Sequence, residues 1–330
     1  SINIIINSLI ASGILHSIFG LIQTFTGKLS HYRFASLSTK INASSGLAQS
    51  PIFLAMILSL ALTASLVTAV ITDNKKQRIF CIVSSCLFSF VMMFTYSLMG
   101  IVGIILAVLS AIVSIFIKKS PKIRLVSVFS GILPAILAVI IVNAGAVGKI
   151  SSYKLYDGYT LWWADSYMRL SASGSYNPEE IDISDTMEVY SYLNKKTIDI
   201  IKKYPLTGTG EEQLVYPQLY TTGGLDMENS DINAVISMNK GTFDKVYNEY
   251  LYTTATRGIP SLIALVVIIV SVLLAGIRKL KKSPSENTVC MFMIFISGII
   301  IFFIGCSNIT FSPVFWTIAG LLMIPEEEIK

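Results

Sequence analysis

The stretch "FDKVYNEYLYTTATRG" collects side chains that are suited to binding a sugar and a phosphate group. Tyr247 and Tyr250 can offer flat faces and hydroxyls to sugar rings, and Asn248 can orient a sugar through its side-chain amide. Arg257 follows, and its planar guanidinium can hold two phosphate oxygens at once. Tyr247 is a poor general base, because a phenol with a pKa of ~10 is almost wholly protonated at neutral pH. The alternative is an aromatic belt with one positive anchor, which is ordinary where a helix enters a membrane.

A second basic segment, residues 27–46, has the sequence "GKLSHYRFASLSTKINASSG" and contains no acidic residue. A divalent metal that binds a diphosphate needs oxygen ligands such as Asp or Glu. The segment therefore predicts direct contact with an anion and no bound metal or other cofactor. Arg33 is its best candidate because of its fork geometry. The alternative is that Arg33 anchors the end of a helix at the membrane interface.

The elements that would position these side chains are transmembrane helices. The chain has 330 residues, of which 53% are hydrophobic and 14% are charged, and its mean hydropathy is +0.67. These values exclude an ordinary soluble domain. Apolar runs that reach or approach the ~20 residues needed to cross the membrane as helix lie near residues 3–26, 47–71, 79–96, 98–117, 125–148, 257–277, 289–306 and 309–324. We predict an all-α polytopic membrane protein with about eight transmembrane helices and a large extracytoplasmic loop that contains an amphipathic helix.

Lysines and arginines cluster in three short loops, which set the predicted orientation. The loops "TDNKKQR", "KKSPKIR" and "RKLKKSPSEN" are all basic, and short basic loops face the cytoplasm. Both ends of the chain are then cytoplasmic. This divides it into an N-terminal membrane bundle at 1–148, an extracytoplasmic loop at 149–256 and C-terminal membrane helices at 257–330. Because the chain begins with Ser1 rather than Met, we expect further residues before it.

The charged residues lie mainly outside the predicted spans. Of the 20 acidic residues, 15 fall within residues 149–256, and no Asp, Glu, Lys or Arg lies deep in a span. Ion-coupled transporters generally keep such groups near the membrane midplane, so the pattern disfavours that class. His16 is the exception, and we expect it to be hydrogen-bonded between helices. The four cysteines lie in spans and predict free thiols, and the net charge of +5 reflects the basic loops rather than a nucleic-acid partner.

The segment "DTMEVYSYLNKKTIDIIKKYPLTGTG" predicts an amphipathic helix with clear ends. Asp185 and Glu188 have the spacing of a capping box, and Pro205 with Gly208 stops the helix. One face is expected to hold Tyr190, Leu193, Thr197, Ile201 and Tyr204. Such a helix can lie on a membrane surface or cover a site that opens at the outer leaflet. A simple solvated, charged face is the alternative.

These motifs together resemble the O-antigen ligase and O-antigen polymerase superfamily of membrane glycosyltransferases. "IDIIKKYPLTGTG" is similar to the helix-Pro-Leu-x-Gly-x-Gly ending of the family, and "YNEYLYTTATRGIPSL" resembles its His-Asn-x-Tyr-Leu motif, which is followed by a Gly before the next span. Three further family segments have counterparts here. An Arg-containing loop is similar to "HYRFASLSTKINASSGLAQSPIFLAMILSLAL", a Thr-x-Ser-Arg-Gly helix is similar to "TYSLMGIVGIILAVL", and the final span is similar to "FSPVFWTIAGLLM". Tyr247 stands where ligases have His, and Leu98 stands where many members have Arg. Polymerases vary more at these positions, so the resemblance favours polymerase over ligase.

The resemblance implies transfer of a glycan from an undecaprenyl diphosphate carrier to an acceptor glycan on the outer side of the cytoplasmic membrane, as part of cell-envelope polysaccharide biosynthesis. Expected partners are the lipid-linked glycan, the acceptor and the bilayer, with a flippase and a chain-length regulator as further candidates. The alternatives are an exporter or flippase of lipid-linked sugars and a non-catalytic cell-envelope assembly protein. The implied catalytic residues are Arg33, Tyr247 and Arg257, and the implied substrate-binding residues are Arg169, Lys196, Lys203, Gly208, Gly210, Asn248 and Tyr250.

Overall fold

The computed structural model describes residues 2–29, 33–36, 39–48, 50–118, 125–147, 155, 186–211, 214, 246–282 and 284–324. Within these residues the regular secondary structure is helical apart from one short hairpin. The helices are α1 (Ile2–Thr26), α2 (Pro51–Ile71), α3 (Lys75–Met93), α4 (Leu98–Lys118), α5 (Leu125–Asn143), α6 (Thr186–Lys203), α7 (Glu249–Arg257), α8 (Ile259–Lys282), α9 (Glu286–Ile301) and α10 (Ser312–Met323). The hairpin strands are β1 (Arg33–Ser36) and β2 (Thr39–Asn42).

Each of the eight predicted spans contains a helix. Six of the helices, α1 to α5 and α8, are long and apolar enough to cross a membrane, and α9 and α10 are apolar but shorter. The structure thus confirms an all-α polytopic membrane protein. Five helices, α2, α3, α8, α9 and α10, start two to four residues away from the predicted positions. α3 begins at Lys75 because the Asn74 side chain accepts hydrogen bonds from the Lys76 and Gln77 amides, and α8 begins only at Ile259, because a separate short helix precedes it.

Helix α2 forms the centre of the bundle, and its membrane-spanning window is entirely buried. Its neighbours are α1, α3, α4, α5 and α9. A hydroxyl seam joins three of these helices: Thr63 on α2 donates to Ser297 on α9 over 3.4 Å, and the Ser297 and Ser110 hydroxyls are 3.2 Å apart. Buried hydroxyls between helices are satisfied without introducing charge. The seam therefore fixes α2, α4 and α9 relative to one another in an otherwise apolar core.

The two ends of the bundle differ in character. At one end lie the β1–β2 hairpin, the start of α2, the α3–α4 turn, α7 and residues 302–311, and we call it the hairpin end. The opposite end carries Lys75, Lys118 and Lys279, and the Lys279 ammonium donates to the Leu321 carbonyl at the end of α10. The three loops predicted to be basic therefore share one end.

Residues 43–48 follow the hairpin and run back along α1 from Thr24 toward His16. The side-chain amide of Gln23 forms hydrogen bonds with the backbone of this segment. Its oxygen accepts from the Ser45 and Gly46 amides at 2.9 and 2.7 Å, and its nitrogen donates to the Gly46 carbonyl at 2.9 Å. His16 Nδ1 accepts from the Leu47 amide at 3.3 Å. Non-helical backbone at this depth needs such partners because no water is there to supply them. His16 is thus hydrogen-bonded inside the bundle, although to this segment rather than to a second helix.

Candidate functional site

Helix α7 is a short helix with a defined cap at each end. At its start the Asn248 side chain accepts a hydrogen bond from the Leu251 amide at 3.1 Å, which is the usual role of an Asn N-cap. Gly258 ends it with a φ of 83° and a ψ of 169°, a conformation that is essentially restricted to glycine. The sequence "NEYLYTTATRG" is therefore a complete helix, and the position predicted to orient a sugar holds the start of that helix through its carbonyl oxygen.

The "PLTGTG" segment after α6 lies across the end of α7, and we call the two together the α7 junction (residues 205–211 and 246–258). Three backbone hydrogen bonds close it: Thr209 to Ala255 (2.9 Å), Gly210 to Thr256 (2.8 Å) and Ile259 to Pro205 (2.8 Å). Carbonyl groups at a helix end lack partners within the helix. The segment supplies partners for two of the carbonyls at the end of α7.

Glycine is required where these two backbones meet. A Cβ on Gly208 would lie 2.3 Å from the Thr256 carbonyl carbon, and a Cβ on Gly258 would lie 2.1 Å from the Leu206 carbonyl oxygen. Both glycines also have positive φ, as does Gly210. The close approach explains Gly208, and the positive φ of 97° explains Gly210. Direct substrate binding by either remains a prediction.

Helix α6 packs its apolar face against α7. The buried residues of this contact are Leu193, Ile200, Leu214, Val246, Tyr252 and Ala255, with Ile201, Tyr204 and Tyr247 partly buried beside them. Thr197 is fully buried on the same helix. Leu193, Thr197, Ile201 and Tyr204 of the predicted face thus lie together, covered by α7. The side chain of Tyr190, the fifth residue of that face, lies outside what the structure describes. The helix ends at Lys203, as Pro205 predicts.

Two adjacent residues tie α7 to the end of α9. The Tyr250 hydroxyl donates to the Ile299 carbonyl at 2.9 Å, and its ring packs on Phe303 with centroids 4.4 Å apart. The Glu249 side chain is buried, and one of its oxygens accepts from the Ser307 amide at 2.6 Å. Burial raises the pKa of the Glu249 carboxyl above its usual value and, with the nearby Glu249 charge, raises the pKa of Tyr250 to about 12. Tyr250 is therefore a neutral hydrogen-bond donor at physiological pH.

Arg257 forms a two-point ion pair with Glu211. Its Nε donates to Glu211 Oε2 at 2.8 Å, and its Nη2 donates to Glu211 Oε1. Both side chains are about half exposed, at 48% and 54%. The hydrogen bonds that Arg257 donates to Glu211 are the main reason that the pKa of Arg257 is raised. The guanidinium is thus charged and accessible, and two of its nitrogens already hold an anion in the geometry that suits a phosphate.

The structure brings Gly208, Gly210, Tyr247, Asn248, Tyr250 and Arg257 together in the α7 junction. The Lys203 ammonium lies 5.6 Å from the centre of the Tyr204 ring, two residues before the junction, and Lys196 is half-buried on α6. In the hairpin, the backbone of Arg33 lies opposite that of Asn42, at the open base. The residue after Asn42, Ala43, is buried. Arg169 lies outside the described residues.

Two acidic residues of this site escaped the sequence analysis. Glu249 follows an N-cap, and acidic residues are common in the first turn of a helix. Its residue type therefore gave no reason to predict that it is buried against residues 302–307. Glu211 directly follows "PLTGTG", and only the crossing of that segment over α7 brings it to Arg257. No group of three or more His, Cys, Asp or Glu among the described residues could hold a metal ion. Most of the acid-rich segment 149–256 lies outside the described residues, so metal independence remains a prediction.

The fold and the site define a class: a polytopic helical membrane protein with a polar, arginine-containing cap at one end of its bundle. The family model for O-antigen ligases matches residues 83–266, more than half of the chain. The protein belongs to the O-antigen ligase family. The matched region includes the second part of α3, all of α4 to α6 and the whole α7 junction, so the resemblance found in the motifs is confirmed. No curated protein matches the chain in a sequence comparison.

Proposed function

We propose that the protein polymerises undecaprenyl-diphosphate-linked oligosaccharide repeat units at the outer face of the cytoplasmic membrane. Family membership supports action on a lipid-linked glycan. In this reaction the anomeric C–O bond breaks, the acceptor hydroxyl takes its place, and negative charge develops on the departing diphosphate. Fixed positive donors at that point give the largest catalytic gain.

The position of Arg257 is the observation that carries the proposal. Arg257 ends α7, and after Gly258 the chain continues as α8, the least buried of the long apolar helices. Ile263 and Val267 on α8 are 59% and 58% exposed, so the helix that directly follows Arg257 offers an apolar surface to the hydrocarbon of a lipid. A lipid carrier with a diphosphate head and a polyprenyl tail needs such a charge at the edge of an apolar surface.

Tyr247 favours polymerase over ligase. It stands where the resemblance places a ligase His, and its ring is half-buried between α6, α7 and the main core. A phenol there can pack and donate a hydrogen bond but is a weak base at neutral pH. Because diphosphate is a good leaving group, transfer to the acceptor needs little basic help. Arg33, Arg169, Lys196 and Lys203 are proposed as further donors to the diphosphate, and Asn248 and Tyr250 as residues that shape the glycan site.

An exporter of lipid-linked sugars gains less support. Such a carrier moves a charged head group past the middle of the bundle, where polar or charged groups must receive it. In the described residues that region holds apolar side chains and uncharged serine and threonine hydroxyls, and the Asp, Glu, Lys and Arg side chains lie toward the two ends. The same arrangement suits an enzyme that works at one membrane face.

The test is polymerisation by purified protein in lipid nanodiscs. Lipid-linked repeat units are supplied, and the glycans are released and sized. We expect products longer than one repeat that remain attached to the lipid diphosphate. Arg257→Ala should shorten them, whereas the control Lys202→Ala, which removes a positive charge from the exposed face of α6, should not. Transfer of a single unit to a different acceptor would indicate a ligase, and glycans that stay one unit long would refute the proposal.

The sidedness is tested by cysteine labelling. In a cysteine-free background, single cysteines at Asn248 and Lys203 should react with an impermeant reagent in intact cells, and cysteines at Lys75 and Lys279 should react only after permeabilisation. The reverse pattern would place the α7 junction in the cytoplasm and contradict the proposal.

A further inference from the structure

The Arg257–Glu211 pair has the geometry of an occupied anion site. Two nitrogens of one guanidinium face two oxygens of one carboxylate, and a phosphate group presents the same pair of oxygens to arginine. The pair is not built into a protein core, since both side chains are about half exposed. An ion pair with that exposure contributes little net stability, so a better anion can replace the carboxylate at small cost.

The backbone on one side of the pair is hydrogen-bonded. The Gly210 amide donates to the Thr256 carbonyl, so the residues directly before Glu211 and Arg257 are hydrogen-bonded to each other. A change at the site is therefore confined to the Glu211 side chain. Leu206 and Ile259, on either side of the junction, are exposed, which places the pair at the border of an apolar surface.

We propose that Arg257 is the core of an exchangeable phosphate-ester site. The Glu211 carboxylate occupies the guanidinium when no ligand is bound, and the phosphate ester displaces it. The inference rests on the proposed function for the identity of that ligand, the diphosphate of the lipid carrier. Before exchange, Glu211 keeps the guanidinium oriented and repels weakly held anions. On exchange, the phosphate oxygens take the two hydrogen bonds, and the Glu211 side chain turns into water. Glu211 thereby sets the selectivity of the site for highly charged anions.

The experiment measures binding of inorganic pyrophosphate to the full chain in zwitterionic phosphatidylcholine nanodiscs by isothermal titration calorimetry. Glu211→Gln keeps the size of the side chain and removes its charge, so it should tighten binding by about 3- to 10-fold, since one competing ion pair and one repulsive charge are lost. Arg257→Gln should abolish the tightening in a double variant. Glu211→Asp keeps the charge on a shorter side chain and should bind pyrophosphate no more than about threefold more tightly than the wild type.

The matched control is Asp199→Asn. Asp199 forms the exposed ion pair with Lys202 on α6, so this change removes one negative charge near the junction without touching Arg257. Equal tightening by Asp199→Asn and Glu211→Gln would show a general charge effect and overturn the inference. Unchanged pyrophosphate binding in folded Glu211→Gln protein, with folding checked by thermal unfolding, would overturn it as well.

Two further arms identify the ligand and separate the inference from the proposed function. If phosphatidylglycerol in the nanodisc competes with pyrophosphate in an Arg257-dependent way, the site takes lipid headgroups, and if it does not, the site takes diphosphate. Charge-dependent exchange in a protein that makes no polymer would support the site and refute the polymerase. If the protein polymerises glycans but Glu211→Gln leaves its pyrophosphate binding unchanged, the result would support the polymerase and refute the exchangeable site.

Discussion

Replacing Gly258 with Ala should open the α7 junction. The backbone conformation at Gly258, with φ 83° and ψ 169°, costs a residue with a Cβ about 1–3 kcal/mol. The new Cβ would also lie 2.1 Å from the Leu206 carbonyl oxygen, a contact that only separation of the two backbones can relieve. That separation breaks the three backbone hydrogen bonds of the junction, at about 1 kcal/mol each. We expect the junction to lose about 4–6 kcal/mol in all.

The assay is amide hydrogen exchange read by mass spectrometry on the peptide that contains Thr209 and Gly210. A loss of this size removes at least about 100-fold protection, because each 1.4 kcal/mol is a factor of ten. The control is Gly145→Ala. Gly145 also has a positive φ, 71°, but nothing lies within 4 Å of the Cβ that would be added. The Gly145→Ala variant should lose only the free energy of the unfavourable backbone conformation, and the loss of protection should be confined to the end of α5. Retained protection of the Thr209 peptide in Gly258→Ala would refute the close-approach explanation.

Three further predictions concern the charged groups. Arg33→Ala should reduce polymerisation about 10- to 100-fold at normal protein abundance, equivalent to ~1.5–3 kcal/mol, with partial rescue by Lys; full rescue by Lys, or lower abundance instead of lower turnover, would assign Arg33 to anchoring. Because burial raises the folded-state pKa of Glu249 above 4.5, its stabilising contribution is complete below the unfolded-state pKa and is lost as pH rises through the folded-state value. Glu249→Gln should therefore reduce the loss of thermal stability as the pH rises above 4.5, and an unchanged slope would contradict this. Polymerisation should persist in EDTA; its loss, with recovery on adding magnesium or manganese, would reveal a metal site.

The bundle was predictable because hydrocarbon imposes long apolar helices. The ends of elements were harder. α3 starts earlier than hydropathy indicates because Asn74 caps it among charged residues, which an apolar window does not count. The hairpin at β1 and β2 was missed because two strands of four residues give too short an alternation to detect.

The candidate site was predictable as motifs but not as an arrangement. The sequence marked Gly208, Asn248 and Gly258 as special, and the structure gives each a physical reason in caps and close contacts. It did not reveal that "PLTGTG" crosses α7, since long-range backbone pairing has no local periodicity. The pairing of Glu211 with Arg257 depends on that crossing, and so does the interpretation of Arg257 as an anion site.

The cluster between α6 and α7 has a consequence for how the protein can vary. Leu214 and Val246 are both fully buried in it, so two positions far apart in the sequence meet in one cluster. The entropy cost of bringing two such positions together grows slowly, by only about 0.6 kcal/mol for each doubling of their separation in the sequence. We therefore expect insertions, deletions and exchanges in the sequence between these two residues to cost little stability. If the protein is the proposed polymerase, evolution can change that part of the sequence while the residues proposed to meet the carrier stay the same.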